Sequence, residues 1–192
     1  PGQIVTSTLE HASVTRSVRG MRREGGWKVS YIDAIGGKLN LDQLKRVLDG
    51  VPTTLITIMN VQNEVGYVFP SAEIGRIRDE LAPDAVYHVD ATQAFCKLPV
   101  SPREWHADLV SVASHKIGGP RGIGALYVRE GLAMHTNAFG GGQEGGLRSG
   151  TEPVFLAAGF ARAIELAMGE REQTFSHVKA LNARLREKLA RA

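Results

Sequence analysis

Two reactive side chains stand where apolar strands would end. Asp90 closes the run VYHVD, and Lys116 follows the run Leu109–Val112 inside ASHKIGGPRGIG. A carboxylate at the lip of a buried sheet is costly unless it meets a positive group or several N–H donors. Asp90 therefore either caps a helix starting near Thr92 or faces a ligand cation such as a protonated pyridine nitrogen. Lys116 lies beside His115 and ahead of Gly118, Gly119, Pro120, Gly122 and Gly124, where the backbone can crowd a bulky ligand. In such a partly dry place an amine loses basicity and can attack a carbonyl; in an open loop it is an ordinary solvated lysine. His11 follows Glu10 at another strand end, where its ring can serve structure or stack on an aromatic ligand. The block Gly140–Thr151, GGGQEGGLRSGT, offers backbone N–H groups, Arg148 and the Thr151 hydroxyl, the ingredients of an anion cradle. Cys96, in AFCKLP, reads as an inert buried thiol rather than a nucleophile. No metal site is expected, because the histidines are dispersed and neither CxxC nor HExxH occurs. The GxxxxGK[ST] order of a P-loop and a GxGxxG after the first strand are absent too, which disfavours a nucleotide-binding domain.

These groups need a scaffold that gathers strand ends. Gln3–Ser7 and Trp27–Ile32 read as strands, with a helix over Ala12–Glu24 between them. Asn40 is a good N-cap for Leu41–Leu48, where Leu41, Leu44 and Leu48 recur at helical spacing and Gly50 sits at the C-terminal end. Thr53–Met59, TTLITIM, is apolar without alternation, the mark of a strand buried on both faces. Ser71–Leu81 reads as a helix started by Ser71 in near-capping-box grammar, with Ile74 and Ile77 inward. Ala85–Val89, Leu109–Val112 and Gly124–Val128 are expected as further buried strands. From Glu152 onward the pattern is helical, with stripes at Phe155, Phe160 and Ile164 and then at Val178, Leu181, Leu185 and Leu189. Alternation of this kind means an α/β fold with a largely parallel sheet, whose ligands sit outside the carboxyl ends of the strands. Glu10–His11, Asn63–Glu64, Asp90–Gln93 and Ser114–Lys116 should then converge.

Composition bounds the answer. The chain has 192 residues, enough for one domain, or one domain plus a fragment, with a core that needs no staple. Its net charge is +3, and Arg16, Arg19, Arg22 and Arg23 read as a solvated helix face, so no nucleic-acid partner is expected. No apolar run is long enough for a membrane span. A single cysteine allows no intramolecular disulfide and suggests a reducing compartment, taken as the cytoplasm. Of the 22 glycines, eight fall between Gly118 and Gly142, a density that suits close approach to a ligand. Opening at Pro1 in a strand-like run, the chain looks like a piece of a longer protein.

Five ordered motifs carry a resemblance: TLEH (Thr8–His11), NVQNEVGYVFP (Asn60–Pro70), HVDATQAFCKLP (His88–Pro99), SHKIGGPRGIGALYV (Ser114–Val128) and GGGQEGGLRSGTEP (Gly140–Pro153). Together they resemble the cysteine desulfurase family, pyridoxal 5'-phosphate enzymes of fold-type I related to class V aminotransferases, over the chain up to about Met168. The resemblance implies the cofactor-binding large domain over 1–168, built on a mostly parallel, seven-stranded-type sheet. It also implies a helix over 169–192 leading toward a small domain. It implies that Lys116 bonds the cofactor and later moves protons at the substrate α-carbon. Asp90 would hold the pyridine nitrogen protonated, Gln93 would bond the phenolic oxygen, and His11 would stack on the ring. Asn63 would lie near the substrate carboxylate, and His115 and Ser114 near the phosphate. Thr151 would reach the phosphate in the other subunit of a homodimer. The implied substrate is L-cysteine, converted to L-alanine with sulfur kept as an enzyme persulfide. That sulfur would go to an acceptor or scaffold protein, as in iron–sulfur cluster assembly.

The sequence departs from the family pattern in places. Ala113 stands where relatives commonly have a phosphate-binding Ser, Gln62 replaces the usual Asn, Gly145 a frequent Arg, and Cys96 a usual Gly. The nucleophilic cysteine loop would follow Ala192, so the chain alone is expected not to desulfurate cysteine. Selenocysteine lyases and other class V aminotransferase-like enzymes share most of these motifs. A non-catalytic domain retaining the fold would instead predict no covalent cofactor.

Overall fold

A computed structural model describes residues 2–136 and 138–191. The chain begins with β1 (Gln3–Ser7), α1 (Ala12–Gly25) and β2 (Lys28–Ile32), then forms a hairpin of β3 (Ala34–Ile35) and β4 (Lys38–Leu39). Gly36 and Gly37, both at positive φ, make the two-residue turn of that hairpin. There follow α2 (Leu41–Leu48), β5 (Thr53–Thr57), α3 (Ser71–Leu81), β6 (Val86–Asp90), β7 (Leu109–Ala113) and β8 (Gly124–Val128). Two long helices end the chain, α4 (Val154–Gly169) and α5 (Arg171–Ala190). The α/β expectation holds, but among the described residues the main sheet has six strands rather than the seven-stranded type, in the order β2-β1-β5-β6-β7-β8. Every neighbouring pair is parallel except β7 with β8.

One face of the sheet carries the core. Val5, Ile56, Ile58, Tyr87, Val89 and Val110 meet Leu44 and Leu48 of α2 and Ile74 and Ile77 of α3. At about 25 cal/mol per Å² of apolar area removed from water, this layer is the main source of stability. Helix α2 starts as its sequence predicts, with Asn40 Oδ1 accepting from Gln43 N–H at 3.0 Å. Helix α3 does not. Its N-cap is Pro70, and the Ser71 hydroxyl accepts from Asn60 Nδ2 at 2.8 Å instead of capping. A buried amide needing an acceptor outbids a helix end that water can satisfy.

Strand β8 corrects a second expectation. Four of its five residues are exposed, because it pairs antiparallel with β7 at the edge of the sheet. Apolar content without alternation does not distinguish an edge strand from a central one. At the other end, α4 buries Phe160 edge-on against Phe95, their ring centres 6.2 Å apart, whereas α5 buries no residue. Among the described residues no helix is long and apolar enough to cross a membrane.

Candidate active site

The sheet changes winding direction between β1 and β5, and the carboxyl ends beside that switch point open into a cleft of about 300 Å³. Four strands furnish it. His11 and Ser13 come from beyond β1, Met59, Val61 and Asn63 from beyond β5. The end of β6 gives Asp90, Thr92 and Gln93, and β7 gives Ala113, His115 and Lys116. The convergence read from strand ends is thus realised for His11, Asn63, Asp90, Gln93, His115 and Lys116.

Asp90 is buried, and its Oδ1 accepts from Thr92 N–H at 2.9 Å, which leaves Oδ2 available. No helix starts at Thr92: residues 92–98 form turns, so the carboxylate closes one turn at the lip of the cleft. Lys116 lies in a short 3₁₀ turn, Ser114–Ile117, ended by Gly118 in the left-handed conformation. His11 is the N-cap of α1, its Nδ1 accepting from Ser13 N–H at 3.2 Å, so the proton of the neutral ring sits on Nε2. Gln93 Oε1 accepts from Lys97 Nζ at 3.1 Å. Burial and the neighbouring Lys116 charge both push the Lys97 amine down.

Two residues implied by the resemblance lie elsewhere. Ser114 is fully buried and its hydroxyl has no partner among the described residues. It faces Gly119, where a Cβ would collide with Ser114 Oγ. Thr151 is exposed in the glycine-rich loop, outside the cleft lining.

The structure also shows groups to which sequence reasoning assigned no role. Glu10 is buried, and its carboxyl is pushed up to about 7, mainly by desolvation, with Ser7 and Met59 opposing the rise. His88 bonds Thr57 Oγ1 at 2.8 Å and Ser111 Oγ at 3.1 Å, joining three strands under the cleft. Burial lowers its basicity, with Asp90 opposing. Its spacing of two from Asp90 on one strand, hence the same face, was the available signal. Among the described residues no group of three or more His, Cys, Asp or Glu side chains is placed to hold a metal.

A wider apolar groove, about 610 Å³, adjoins the cleft and shares Val61, Gln93 and Lys116 with it. Cys96 lines this groove with φ of +59°, a left-handed conformation that favours glycine. Burial raises its thiol pKa, with Arg171 opposing.

Comparison with known proteins adds the following. The family model described as aminotransferase class-V matches residues 1–192. The mitochondrial cysteine desulfurase of Candida albicans is 41% identical over 189 residues, covering 97% of this chain and 38% of that protein. A cysteine desulfurase of Trichormus azollae is 39% identical, covering 97% of this chain and 46% of that protein. The chain therefore spans less than half the length of these relatives. Among solved structures, a NifS-like protein superimposes with a TM-score of 0.93 at 34% identity, covering 99% of this chain and 52% of the other. A structure described as SspA in complex with cysteine gives 0.79 at 38% identity, covering 85% of this chain and 47% of the other.

Proposed function

The chain belongs to the aminotransferase class-V family, and on that premise we propose that its cleft is the pyridoxal 5'-phosphate site of a cysteine desulfurase. The carrying observation is the meeting of an amine, an acid, an amide and an imidazole from four strand ends in one cleft of about 300 Å³. This donor set fits the family's cofactor. Lys116 suits the aldehyde, Asp90 Oδ2 the ring N–H, Gln93 the phenolic oxygen, His11 the ring face and His115 the phosphate. Ser114, turned toward Gly119, is left out of the set. Bound there, pyridoxal phosphate supplies a carbonyl for amine capture and a protonated ring that draws electrons from the substrate α-carbon.

The chain's own residues do the rest. Asp90 Oδ2, left open at the lip of the sheet, would accept from a protonated ring nitrogen and hold that proton in place. Lys116 Nζ would hold the cofactor's aldehyde and, as the base of the cleft, would take and return a proton at the substrate α-carbon. Asn63 orients the substrate carboxylate. His11, whose Nδ1 is taken by Ser13 N–H, would stack on the ring face and present Nε2 to the cleft.

In the whole protein the substrate is L-cysteine, and its sulfur passes to an enzyme thiol. L-alanine leaves and an enzyme persulfide remains, so atoms and electrons balance without an added oxidant. The relatives named cysteine desulfurase and the cysteine-bound SspA structure support this choice. Cys96 is a poor candidate for that thiol, being buried and less acidic than a free one. A homodimer in which Thr151 reaches the second site, a cytoplasmic setting and delivery to a scaffold protein for iron–sulfur cluster assembly complete the proposal. The test is to mix the chain with pyridoxal phosphate, reduce with borohydride and map the adduct by mass spectrometry. A pyridoxyl group on Lys116, lost in Lys116→Ala, is expected; labelling of another lysine instead overturns the assignment.

A further inference from the structure

Beside the cleft lies a buried carboxyl that none of the proposed roles uses. Glu10 sits in the turn between β1 and α1, and both its oxygens accept from one donor, Met59 N–H, at 3.0 and 3.1 Å. Ser7 Oγ donates to Oε1 at 2.5 Å and itself accepts from Leu9 N–H at 3.2 Å. These bonds sit at the switch point of the sheet. The register of β1 with β5 runs only to Thr6 and Thr57. Beyond that point the strands diverge, and the Glu10 carboxyl carries the connection two residues further along the second strand. Gln62 Nε2, at 3.5 Å from Leu9 O, is the weaker second tie.

His11 is the next residue. Its ring orientation is set within α1 by Ser13, whose N–H and Oγ both meet Nδ1. Nothing in those local bonds sets how far the turn stands from Asp90 and Lys116 on the opposite wall. That distance depends on what holds the turn to β5.

We infer that Glu10 is a positioning residue, fastening the β1–α1 turn to the end of β5 and so fixing His11 across the cleft from Asp90 and Lys116. The role of His11 toward a ligand rests on the cofactor reading above; the fastening itself does not. The groups facing Glu10 are Ser7 in its own turn, the Met59 backbone N–H beyond β5, and Asp90 and Tyr87 from β6. None of these is a cation that would hold the carboxyl charged in the way a salt bridge does. Burial together with the Asp90 charge therefore keeps the proton on up to about pH 7. Above that, Glu10 becomes a second carboxylate beside Asp90, and the Met59 N–H then meets a charged acceptor.

The test uses the ¹⁵N-labelled chain, reading the Met59 and Ser13 amides by NMR and the affinity for pyridoxal phosphate by absorbance. In Glu10→Ala both amides should move, and affinity should fall roughly tenfold or more through misplacement of His11. Glu10→Gln, which keeps an acceptor for Met59, should restore both. Between pH 5 and 9 the native Met59 amide should show a step near 7 that Glu10→Gln lacks. Unmoved Ser13 signals and unchanged affinity in Glu10→Ala overturn the proposal, and so does a step that persists in Glu10→Gln. If the alanine variant fails to fold, the Met59 step decides alone. A native chain that gives no adduct on Lys116 sinks the cofactor reading, while the amide shifts still decide Glu10.

Discussion

The two halves of this chain are similarly apolar in sequence and opposite in packing. From β1 to β6, strands and helices close on one another: Ile4, Val5, Ile32, Leu44, Leu48, Ile56 and Ile74 are all fully buried. From β8 to α5, Leu126 and Tyr127 are nearly half exposed, Phe155 is 93% exposed, and α5 buries no residue. The polar ties follow the same division. Gln3 Nε2 reaches Thr53 Oγ1 at 3.0 Å, Glu10 holds Met59, and Asn60 holds Ser71, whereas the side-chain bonds on α4 and α5 are exposed. Hydrophobic periodicity reports that a face is suited to burial, not that these 192 residues bury it. The proposed site takes His11, Asn63, Asp90 and Gln93 from strand ends of the packed half and Lys116 from the end of β7 beside it.

The sharpest way to break the comparison is to open the packed half. Ile56, fully buried in the middle of the sheet, should cost about 3–4 kcal/mol when cut to Ala, through lost transfer energy and the cavity left behind. Urea unfolding followed by circular dichroism measures it. A cost below about 1 kcal/mol would mean that the central layer is no better packed than the terminal helices.

The next effect is electrostatic. The folded Glu10 carboxyl, raised from 4.5 to about 7, keeps its proton over a range in which the unfolded chain has lost it. Stability from this group is thus fully present below about pH 4.5 and falls as pH rises to 7, by about 3 kcal/mol in total. In Glu10→Gln that slope should be missing from the difference in unfolding free energy. Parallel pH profiles for the two proteins would show that Glu10 titrates as an exposed carboxyl does.

A smaller effect tests a helix end in the packed half. Asn40→Ala removes the side-chain acceptor for Gln43 N–H and should cost about 1 kcal/mol. Asn40→Gly should recover most of that loss, since glycine leaves the end open to water. Equal losses in the two variants would point to another role for the Asn40 side chain.

How far the sequence discloses all this depends on the range of the cause. Strands β1, β5, β6 and β7 and helices α2 and α3 are legible to within a residue or two, because each carries its own periodicity and punctuation. The convergence of His11, Asp90, Gln93 and Lys116 is legible as well, since a parallel sheet delivers every carboxyl end to one edge. The β3–β4 hairpin is too short to show a period. The exposure of β8 is set by its place in the strand order, which its five residues do not encode. The Glu10 carboxyl meets Met59 across 49 residues, and Ser114 turns toward Gly119 because no Cβ stands there. Both directions depend on tertiary neighbours. The left-handed Cys96 is a middle case: its φ of +59° is a conformation that favours glycine, which its own residue type does not announce.

The smallest predicted effect sharpens the contrast most. Leu185, on α5, repeats at helical spacing with Val178, Leu181 and Leu189, and on sequence grounds it resembles a core position as closely as Leu44 does. It is 56% exposed, whereas Leu44 is fully buried. Leu185→Ala therefore removes few contacts, leaves no cavity, and replaces leucine with the better helix former. It should change unfolding free energy by no more than about 0.5 kcal/mol in the chain as it stands. Leu44→Ala, measured alongside, should cost about 3 kcal/mol. If Leu185→Ala instead costs as much as Leu44→Ala, the α5 stripe is covered in solution, and the division between the two halves belongs to the isolated chain rather than to the protein at working concentration. A second run at tenfold lower protein concentration separates the causes, because a face covered by another copy loses its stabilisation on dilution and a face covered within one chain does not.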